Sequence, residues 1–598
     1  MIDQIKQVNF LDFAVVSTYL LMLTGVGIYL TKFNKSVDDF FKGGGKIPWW
    51  IAGISTFVAG FSAFMFVAAA GYTYKNGMGA VVLFTSAFWA YWLGYFVYAT
   101  KWRRSRLSSP MEFLTRRFSQ GTTYYYTLLS IVPAIMGLGL NIYILCIFIS
   151  TSLGITDVNF NLGIASVSGL EFSMIVTGLV MLIYTSAGGL WAVVITDVLQ
   201  FVVILIVSFL IFPLAFMALG ESGGFFHGMT RLMSESPSGY LSFYDVSARP
   251  VFYIAYFIST LIGYNAAWHV GQRYYSVPTE RDARKMAILC AILSLVLPLL
   301  WIAPTMAARI LFPSIGTIWP QLTEPAEASF VTLALTLLPN GLIGLTISAI
   351  LAATMTSVDT QLNYLASILV RDVYVKLRKT KSGDGPSEKR QLRIGRITAF
   401  ALGVLAIVTA IIVQRTKGVF DFALMYYSWF GPAMFTPVML GFLYTKTPSW
   451  SANASATAGL VVVWLGNVVF DVTPYQYEFN IFGGVLVSTL VFFGSALFRE
   501  KRFTTITQIA AFKKDLGDPA TKESLRWDPN ALQSYKIVGV LTIGIGVALL
   551  SLNLVPAASD VILLNSVAGL CTVSFGVLIL WYFKKQLKKS LALAESVE

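Results

Sequence analysis

Uninterrupted apolar segments recur along nearly the whole chain, and about fifteen of them are long enough to cross a lipid bilayer. Charged residues make up only 12% of the 598 residues and hydrophobic residues make up 56%, whereas a soluble domain is about a quarter charged. Because lipid offers the backbone no hydrogen-bond partner, such segments have to be helical. The sequence therefore predicts an all-α polytopic membrane protein. The predicted spans lie near residues 10–31, 49–72, 78–100, 124–152, 162–184, 189–218, 251–270, 286–311, 340–370, 395–413, 419–444, 452–470, 480–498, 537–554 and 562–583.

The distribution of basic residues orients these spans. A net charge of +13 is compatible with a nucleic-acid-binding chain, but the Lys and Arg residues are confined to alternate loops. Arg273 and its neighbours follow the seventh span, and the segments 371–396 and 499–536 are strongly basic. Cytoplasmic loops carry such an excess of positive charge. The sequence thus predicts a multi-pass protein of the plasma (inner) membrane with its N-terminus outside and its C-terminus in the cytoplasm. Its large partner is the lipid bilayer and not a nucleic acid.

One predicted span, 340–370, carries a stripe of oxygen-bearing side chains in its apolar sequence. These side chains are Thr354, Thr356, Ser357, Asp359 and Thr360. On a helix, Ala353 lies on the same face as Thr356, Ser357 and Thr360, because the spacing is i, i+3, i+4 and i+7. Hydroxyls beside a carboxylate suit a hard cation that prefers oxygen ligands. The alternative is that the hydroxyls bond back to their own helix or join neighbouring helices.

Three further features of the predicted spans indicate a transporter. Asp197 is a second acid deep in an apolar segment, where it needs a partner or a cavity. The span 49–72 contains Gly53, Gly60 and Ser62, which permit local unwinding. The span 419–444 contains the pair Gly431–Pro432, which predicts a second break. Discontinuous helices in both halves of a chain are typical of secondary transporters built from inverted repeats.

Four motifs in this order resemble the sodium:solute symporter family, which includes sodium/glucose, proline, iodide, monocarboxylate and sialic acid transporters. The motifs are DDFFKGGGKIPWW after the first span, SPMEFLTRRF, GGLWAVVITDVLQ and AATMTSVDTQLN. The resemblance runs from Asp38 to about Thr445. It implies a LeuT-type fold of two inverted five-helix repeats with additional N- and C-terminal helices.

The resemblance also implies the division of the chain. Residues 1–48 form an extra helix and a cytoplasmic loop. Residues 49–218 form the first repeat with core helices 1 to 5, and residues 219–250 form an extracellular loop. Residues 251–446 form the second repeat with core helices 6 to 10 and a cytoplasmic linker at 372–394, and residues 447–598 form the additional helices with a cytoplasmic loop at 499–536.

The family's shared sodium site lies between core helices 1 and 8, and the resemblance transfers it residue by residue. The implied sodium ligands are the carbonyls of Val58, Phe61 and Ala353 and the hydroxyls of Thr356 and Ser357. A second ion site is implied around Asp197, with Asp359 and Thr360. Asp359 stands where a small or hydroxyl residue is commoner in the family, so this site could hold either an ion or a proton shared by two carboxylates.

The implied solute site is aromatic and mostly neutral. Its lining residues by resemblance are Phe64, Met65, Ser86, Thr260, Tyr264, Trp268, Ser294 and Tyr426. A polyol needs dense hydrogen bonding, because each unpaired buried hydroxyl costs about 1–3 kcal/mol. This lining is poor for such a solute.

The sequence as a whole predicts a monomeric symporter that imports a small organic solute together with sodium by alternating access. A sodium/sugar cotransporter in particular, or a transporter-like solute sensor, is the alternative. A channel is disfavoured because the sequence has no repeated filter-like segment. An enzyme is not expected, since no metal-ligand cluster or nucleophile–base pair occurs among the spans.

Overall fold

The structure of the protein is a computed structural model. It describes residues 5–30, 43–156, 158–161, 166–185, 190–243, 249–320, 322–382, 386–415, 418–498, 500, 503–518, 529–554 and 559–595. The predicted all-α class is confirmed, because 84% of the structure is helical. Parts of several predicted features lie outside the described residues. These are the start of the motif DDFFKGGGKIPWW, the first two residues of GGLWAVVITDVLQ, and parts of the predicted span 162–184, the loops 219–250 and 499–536 and the linker 372–394.

The helices follow the apolar segments of the sequence. The α-helices are α1 (Phe10–Leu30), α2 (Trp49–Phe61), α3 (Ala68–Asn76), α4 (Gly79–Phe84), α5 (Ala87–Leu93), α6 (Ala99–Arg104), α7 (Glu112–Arg117), α8 (Gln120–Ser152), α9 (Gly169–Thr185), α10 (Leu190–Gly220), α11 (Gly224–Glu235), α12 (Pro250–Ala266), α13 (Trp268–Ser276), α14 (Glu280–Val296), α15 (Leu299–Leu311), α16 (Ile315–Ile318), α17 (Ser329–Leu337), α18 (Leu342–Ser367), α19 (Val375–Ser382), α20 (Glu388–Val413), α21 (Val419–Leu443), α22 (Ser451–Trp464), α23 (Gln476–Gly494), α24 (Phe503–Gly517), α25 (Pro529–Ser551) and α26 (Ser559–Glu595). Two short strands, β1 (Asn159–Asn161) and β2 (Ser166–Ser168), pair antiparallel.

Every predicted apolar segment coincides with a helix or with a bent pair of helices. Among the described residues, ten helices are long and apolar enough to cross a membrane, and the number is twelve if each of two bent pairs counts as one span. Other helices, such as α1 and α9, have shorter apolar stretches. The helices are thus where the sequence predicts them, while length and composition support fewer crossings than the expected fifteen.

The first bent pair is α2 and α3, which meet at an angle of 49°. The helix α2 ends at Phe61, and Ser62 then adopts a positive φ of 30°. A positive φ is unfavourable for a residue with a side chain, so the helix cannot continue through Ser62. The predicted interruption of the span 49–72 is therefore present.

The second bent pair is α12 and α13, bent by 44° at Ala267. The predicted break at Gly431–Pro432 is wrong, since α21 runs without interruption from Val419 to Leu443. The helix accommodates two prolines, Pro432 and Pro437, each of which removes one helical hydrogen bond. It is held on several sides by α12, α22 and α23. The two bent pairs begin the two predicted repeats, 49–218 and 251–446, whose boundaries stay predictions.

Helix α18 lies at the centre of the bundle. Its most apolar stretch is completely buried, and it packs against α1, α2, α8, α10 and α20. A helix that is buried on all sides belongs to the core of a large protein. The polar stripe predicted on this segment is therefore enclosed by protein and not exposed to lipid.

The N-terminal and C-terminal helices pack on this core from outside the predicted repeats. Helix α1 lies along α18 and α10, whereas α25 and α26 form an antiparallel pair whose contacts with the rest of the bundle run mainly to α10. The core that positions the polar stripe thus consists of α2, α10 and α18, with α1 against its outer side.

Candidate functional site

The polar stripe of α18 meets the end of the broken helix α2. The hydroxyl of Ser357 donates to the carbonyl of Ala59 across 3.1 Å and to the carbonyl of Ala353 across 3.3 Å. The carbonyl of Val58 accepts from the amide of Ser62 at 3.3 Å. The last carbonyls of a helix lack their usual helical donors and carry the negative end of its dipole. The break in α2 therefore presents oxygen atoms to Ser357.

The other predicted sodium ligands lie around this contact. Thr356 is fully buried, and its hydroxyl bonds to the carbonyl of Ala352 at 3.1 Å and to the side chain of Gln200 on α10. Phe61 is buried as the last residue of α2. Of the predicted ligand residues, Ser357 contacts α2 directly through Ala59, which the sequence reasoning missed, whereas Thr356 contacts Gln200 on α10.

Asp197 lies in a buried network that also contains an arginine. The carboxylate accepts from the hydroxyl of Ser55 at 2.5 Å. The guanidinium of Arg273 lies 3.7 Å from the same oxygen and donates to the hydroxyls of Ser55 at 2.9 Å and Thr360 at 3.0 Å. Arg273 therefore joins α2, α10 and α18 through their polar side chains.

The position of Arg273 corrects the sequence analysis, which assigned it to a basic loop. It belongs to α13 and is only 1% exposed. Its partner Gln272, also fully buried, donates to Asn363 on α18 at 3.2 Å. Arg273 lies near the end of an apolar segment, where a basic residue is expected in a cytoplasmic loop. The charge pattern of the sequence therefore gave no sign that it is buried. The polar residues Ser55 and Asp197 are the signal that a buried partner was needed.

Asp359, the third member of the predicted second ion site, is 2% exposed. Thr360 bonds to Arg273, which also lies beside Asp197. The structure therefore joins Asp197 and Thr360 of the predicted second site through Arg273.

The predicted solute-lining residues do not form one continuous surface. Ser86 and Thr260 meet, with 3.4 Å between their hydroxyl oxygens. Tyr264 packs on the ring of Tyr91 with 5.1 Å between ring centroids. Met65 and Ser294 are buried and line neither of the two cavities described below.

Two of the predicted solute residues, Trp268 and Tyr426, line a small cavity of about 150 Å³. We call it the inner cavity. Its lining residues are Ser130, Pro133, Ala134, Gly137, Ala267, Trp268, His269, Gln361, Tyr364, Tyr426, Tyr427, Phe430, Gly431, Met434 and Phe435. The lining is aromatic and contains neither an acid nor a lysine or arginine. It lies beside the second helix break at Ala267.

A larger cavity of about 390 Å³, which we call the vestibule, opens at the other end of the same helices. Its charged lining residues are Lys75, Arg249, Glu324, Glu327, Asp421 and Glu478. Four aromatic rings, which we call the aromatic closure, form a cluster at its wall, because two of them, Tyr72 and Phe420, line the vestibule. They belong to Phe64, Tyr72, Phe84 and Phe420, with 4.6 Å between the centroids of Tyr72 and Phe420 and 6.1 Å between those of Phe64 and Phe420. The predicted solute residue Phe64 is thus part of the aromatic closure at the wall of the vestibule.

Glu327 is one of two buried acids of the vestibule, the other being Glu478, and it was not found from the sequence. It is 6% exposed, and its carboxylate accepts from the backbone amide of Val419, the first residue of α21, at 2.7 Å. Burial raises the pKa of Glu327 to about 7, against the opposing effect of the Val419 amide. Its side chain lies so close to Gly71 that a Cβ added there would stand 2.9 Å from the Glu327 Cγ.

Comparison with known proteins agrees with this geometry. The model of the sodium:solute symporter family matches residues 40–459. The chain is 24% identical to the sodium/sialic acid symporter NanT of Aliivibrio fischeri over 86% of its own length and 98% of that protein. It is 26% identical to the sodium/glucose cotransporter of Vibrio parahaemolyticus, over 76% of its own length and 84% of that protein.

The fold also matches a solved structure, that of a substrate-bound, outward-open Na⁺-coupled sialic acid symporter. The TM-score is 0.69 at 22% sequence identity, and the match covers 83% of this chain and 99% of the other. The predicted LeuT-type fold is thereby confirmed. Since the family match includes both broken helices and the buried helix α18, the chain belongs to the sodium:solute symporter family.

Proposed function

We propose that this protein is a symporter that imports a small organic solute together with sodium by alternating access. The observation that supports it most directly is the contact between the Ser357 hydroxyl and the carbonyl of Ala59. It brings neutral oxygens from two helices together at the negative end of the α2 dipole. Oxygen ligands of this kind suit a small hard cation.

In this proposal, sodium binds where α2 and α18 meet. Its ligands are the carbonyls of Val58, Phe61 and Ala353 and the hydroxyls of Thr356 and Ser357. Sodium–oxygen contacts would replace the hydrogen bond between Ser357 and Ala59 and would hold the two helices in one relative position. The solute then binds next to the break at Ser62, and the rocking of the two repeats carries both across the membrane.

The driving force is sufficient for concentrative uptake. One charge that crosses 100 mV releases about 2.3 kcal/mol, and a tenfold sodium gradient adds about 1.4 kcal/mol. Together they support accumulation of the solute by roughly 500-fold for one sodium per cycle.

We propose that a second ion binds beside Asp197 only in states of the transport cycle in which Arg273 has moved away. In the present arrangement the guanidinium already supplies a positive charge 3.7 Å from Asp197, and a cation added there would be repelled. This favours one sodium per cycle. The group around Asp359 is the remaining candidate for a second ion or a proton.

The geometry favours an uncharged solute with an apolar face. Neither Lys nor Arg lines the inner cavity, although a carboxylated solute is best bound by a guanidinium or an ammonium group. In the vestibule, four acids face two basic groups, and Lys75 is engaged by Glu324. A sugar is the second candidate, because the inner cavity offers the hydroxyl-bonding side chains of Gln361 and Tyr426.

The basic loops support a protein of the plasma membrane with the N-terminus outside and the vestibule facing outward. We propose that it acts as a monomer. A transporter-like sensor would bind sodium and solute without moving them. Sodium-driven uptake into vesicles that contain the purified protein separates these alternatives.

The sodium site is tested by the thermal stability of the purified protein in NaCl and in KCl at equal ionic strength. We expect a sodium-specific rise of the melting temperature that Ser357→Ala abolishes. Ser348→Ala is the matched control, because Ser348 is buried on the same helix and its hydroxyl bonds back to Gly344 at 2.9 Å. An equal response of the native protein to sodium and potassium would overturn the proposal.

A further inference from the structure

Helix α1 lies outside residues 40–459 that match the family, but one of its acids is joined to the sodium-site helix. Asp12 is fully buried. Its carboxylate accepts from the backbone amides of Gly341 at 2.6 Å and Gly344 at 2.8 Å, and from the side-chain amide of Asn340 at 2.8 Å. The carboxylate therefore satisfies donors at the beginning of α18.

The backbones of α1 and α18 are in direct contact at the same place. A Cβ added at Gly344 would stand 2.5 Å from the carbonyl oxygen of Asp12 and 2.7 Å from its Cα. Gly341 has a φ of +89°, a conformation that favours glycine. The contact leaves α18 little freedom to slide or rotate relative to α1.

Helix α1 continues along both helices of the ion site beyond this contact, because it packs against α18 and α10. Gln200 on α10 is the residue whose side chain accepts from Thr356 on α18. Helix α1 therefore lies against the two helices whose side chains meet at the proposed sodium ligand Thr356.

We propose that α1 positions the sodium site, with Asp12 as its positioning residue. Asp12 fixes the start of α18, and the helix carries that position over about 20 Å to Ser357 at 1.5 Å per residue. A negative charge at a helix N-terminus is stabilising, and hydrogen bonds to a charged group are strong. This inference rests on the proposed function, because it assumes that sodium binds at Thr356 and Ser357.

The test is the sodium concentration at half-maximal thermal stabilisation, measured on the purified full chain with choline chloride to keep ionic strength constant. For Asp12→Asn, which keeps the side-chain shape but removes the charge, we expect the half-maximal sodium concentration to rise about fivefold, at the lower end of typical coupling between sites. The control is Glu388→Gln, which changes an exposed acid in the first turn of α20. It should leave the half-maximal sodium concentration unchanged.

Asn340→Ala decides the question if Asp12→Asn does not fold, because it removes one donor to the Asp12 carboxylate and leaves the carboxylate itself in place. We expect it to raise the half-maximal sodium concentration about threefold. Unchanged sodium dependence in the variants that fold would show that α1 only braces the bundle and would overturn the inference. A native protein without a sodium-specific response would instead overturn the proposed function itself.

Discussion

The guanidinium of Arg273 lies 3.7 Å from the carboxylate of Asp197 in the interior of the bundle, and each residue is at most 1% exposed. Ser55 bonds to both groups, at 2.9 Å from Arg273 and 2.5 Å from Asp197. Two opposite charges so far from water depend on each other, because a single buried charge without its partner is very unfavourable. This pair therefore links the stability of the fold to the residues of the candidate ion site.

Replacement of Asp197 by Asn should destabilise the protein by about 3–5 kcal/mol, since it leaves Arg273 buried without a counter-charge. The melting temperature of the purified protein without sodium measures this effect. The double variant Asp197→Asn with Arg273→Gln should recover part of the loss, as residues in one network do. Equal melting temperatures for the native protein and Asp197→Asn would show that the pair contributes little.

Gly344→Ala should destabilise the protein by more than about 1 kcal/mol, because the new Cβ would meet the backbone of Asp12 at 2.5 Å. Gly25→Ala on α1 is the control, since nothing lies within 4 Å of a Cβ added there. Its effect should stay within about 1 kcal/mol. Similar melting temperatures for the two variants would contradict the close contact between α1 and α18.

Glu327→Gln should change how stability depends on pH. The pKa of Glu327 is raised from 4.5 to about 7 by burial, so the folded protein holds a proton that the unfolded chain releases above pH 4.5. The contribution of Glu327 therefore falls as pH rises from about 4.5 to 7 and is constant above that, by at most about 3 kcal/mol in the free energy of unfolding.

The measurement is the melting temperature from pH 5 to pH 8 for the native protein and for Glu327→Gln. The native protein should lose stability over this range relative to the variant. Glu324 beside it is paired with Lys75, so Glu324→Gln is the control for a general loss of negative charge in the vestibule. Parallel pH curves for the native protein and Glu327→Gln would rule out titration of Glu327 in this range.

Phe420→Ala should open the aromatic closure at the wall of the vestibule, because Phe420 contacts Tyr72, Phe84 and Phe64. The probe is Ser86→Cys in a Cys571→Ser background, labelled by a membrane-impermeant thiol reagent. We expect labelling to accelerate at least about tenfold, which corresponds to about 1.4 kcal/mol in the opening equilibrium. Trp89→Ala, which removes an exposed ring nearby, should leave the labelling rate unchanged.

Much of this fold can be predicted from the sequence, because the long membrane-spanning helices coincide with apolar segments and apolar segments in lipid have to be helical. The break at Ser62 is predictable for a similar reason, since Gly60 and a hydroxyl residue adjoin it. The break at Ala267 is not, because the sequence Ala266–Ala267–Trp268 contains neither glycine nor proline. Its cause is packing around α13, which composition does not express.

The candidate site also has parts that the sequence predicts and parts that it does not predict. The stripe on α18 follows from helical spacing alone, and the resemblance to the family supplied its partner helix. The contact of Asp12 with Gly344, however, joins residues that are 332 positions apart in the chain. The burial of Arg273 also depends on neighbours distant in sequence, Ser55 and Asp197. Such pairs form only when the tertiary structure brings them together.

Because the most apolar stretch of α18 is completely buried among its neighbours, no lipid-facing side is available to it in this structure. The helix that carries Ser357 can become accessible to water only where a neighbour withdraws from it. The hydrogen bond between Ser357 and Ala59 is a single contact between side chain and backbone, whereas Asp12 holds the start of α18 through three hydrogen bonds. If sodium binds as proposed, we expect solvent to reach it from the α2 side, and the motion of α2 would then set the path by which sodium leaves.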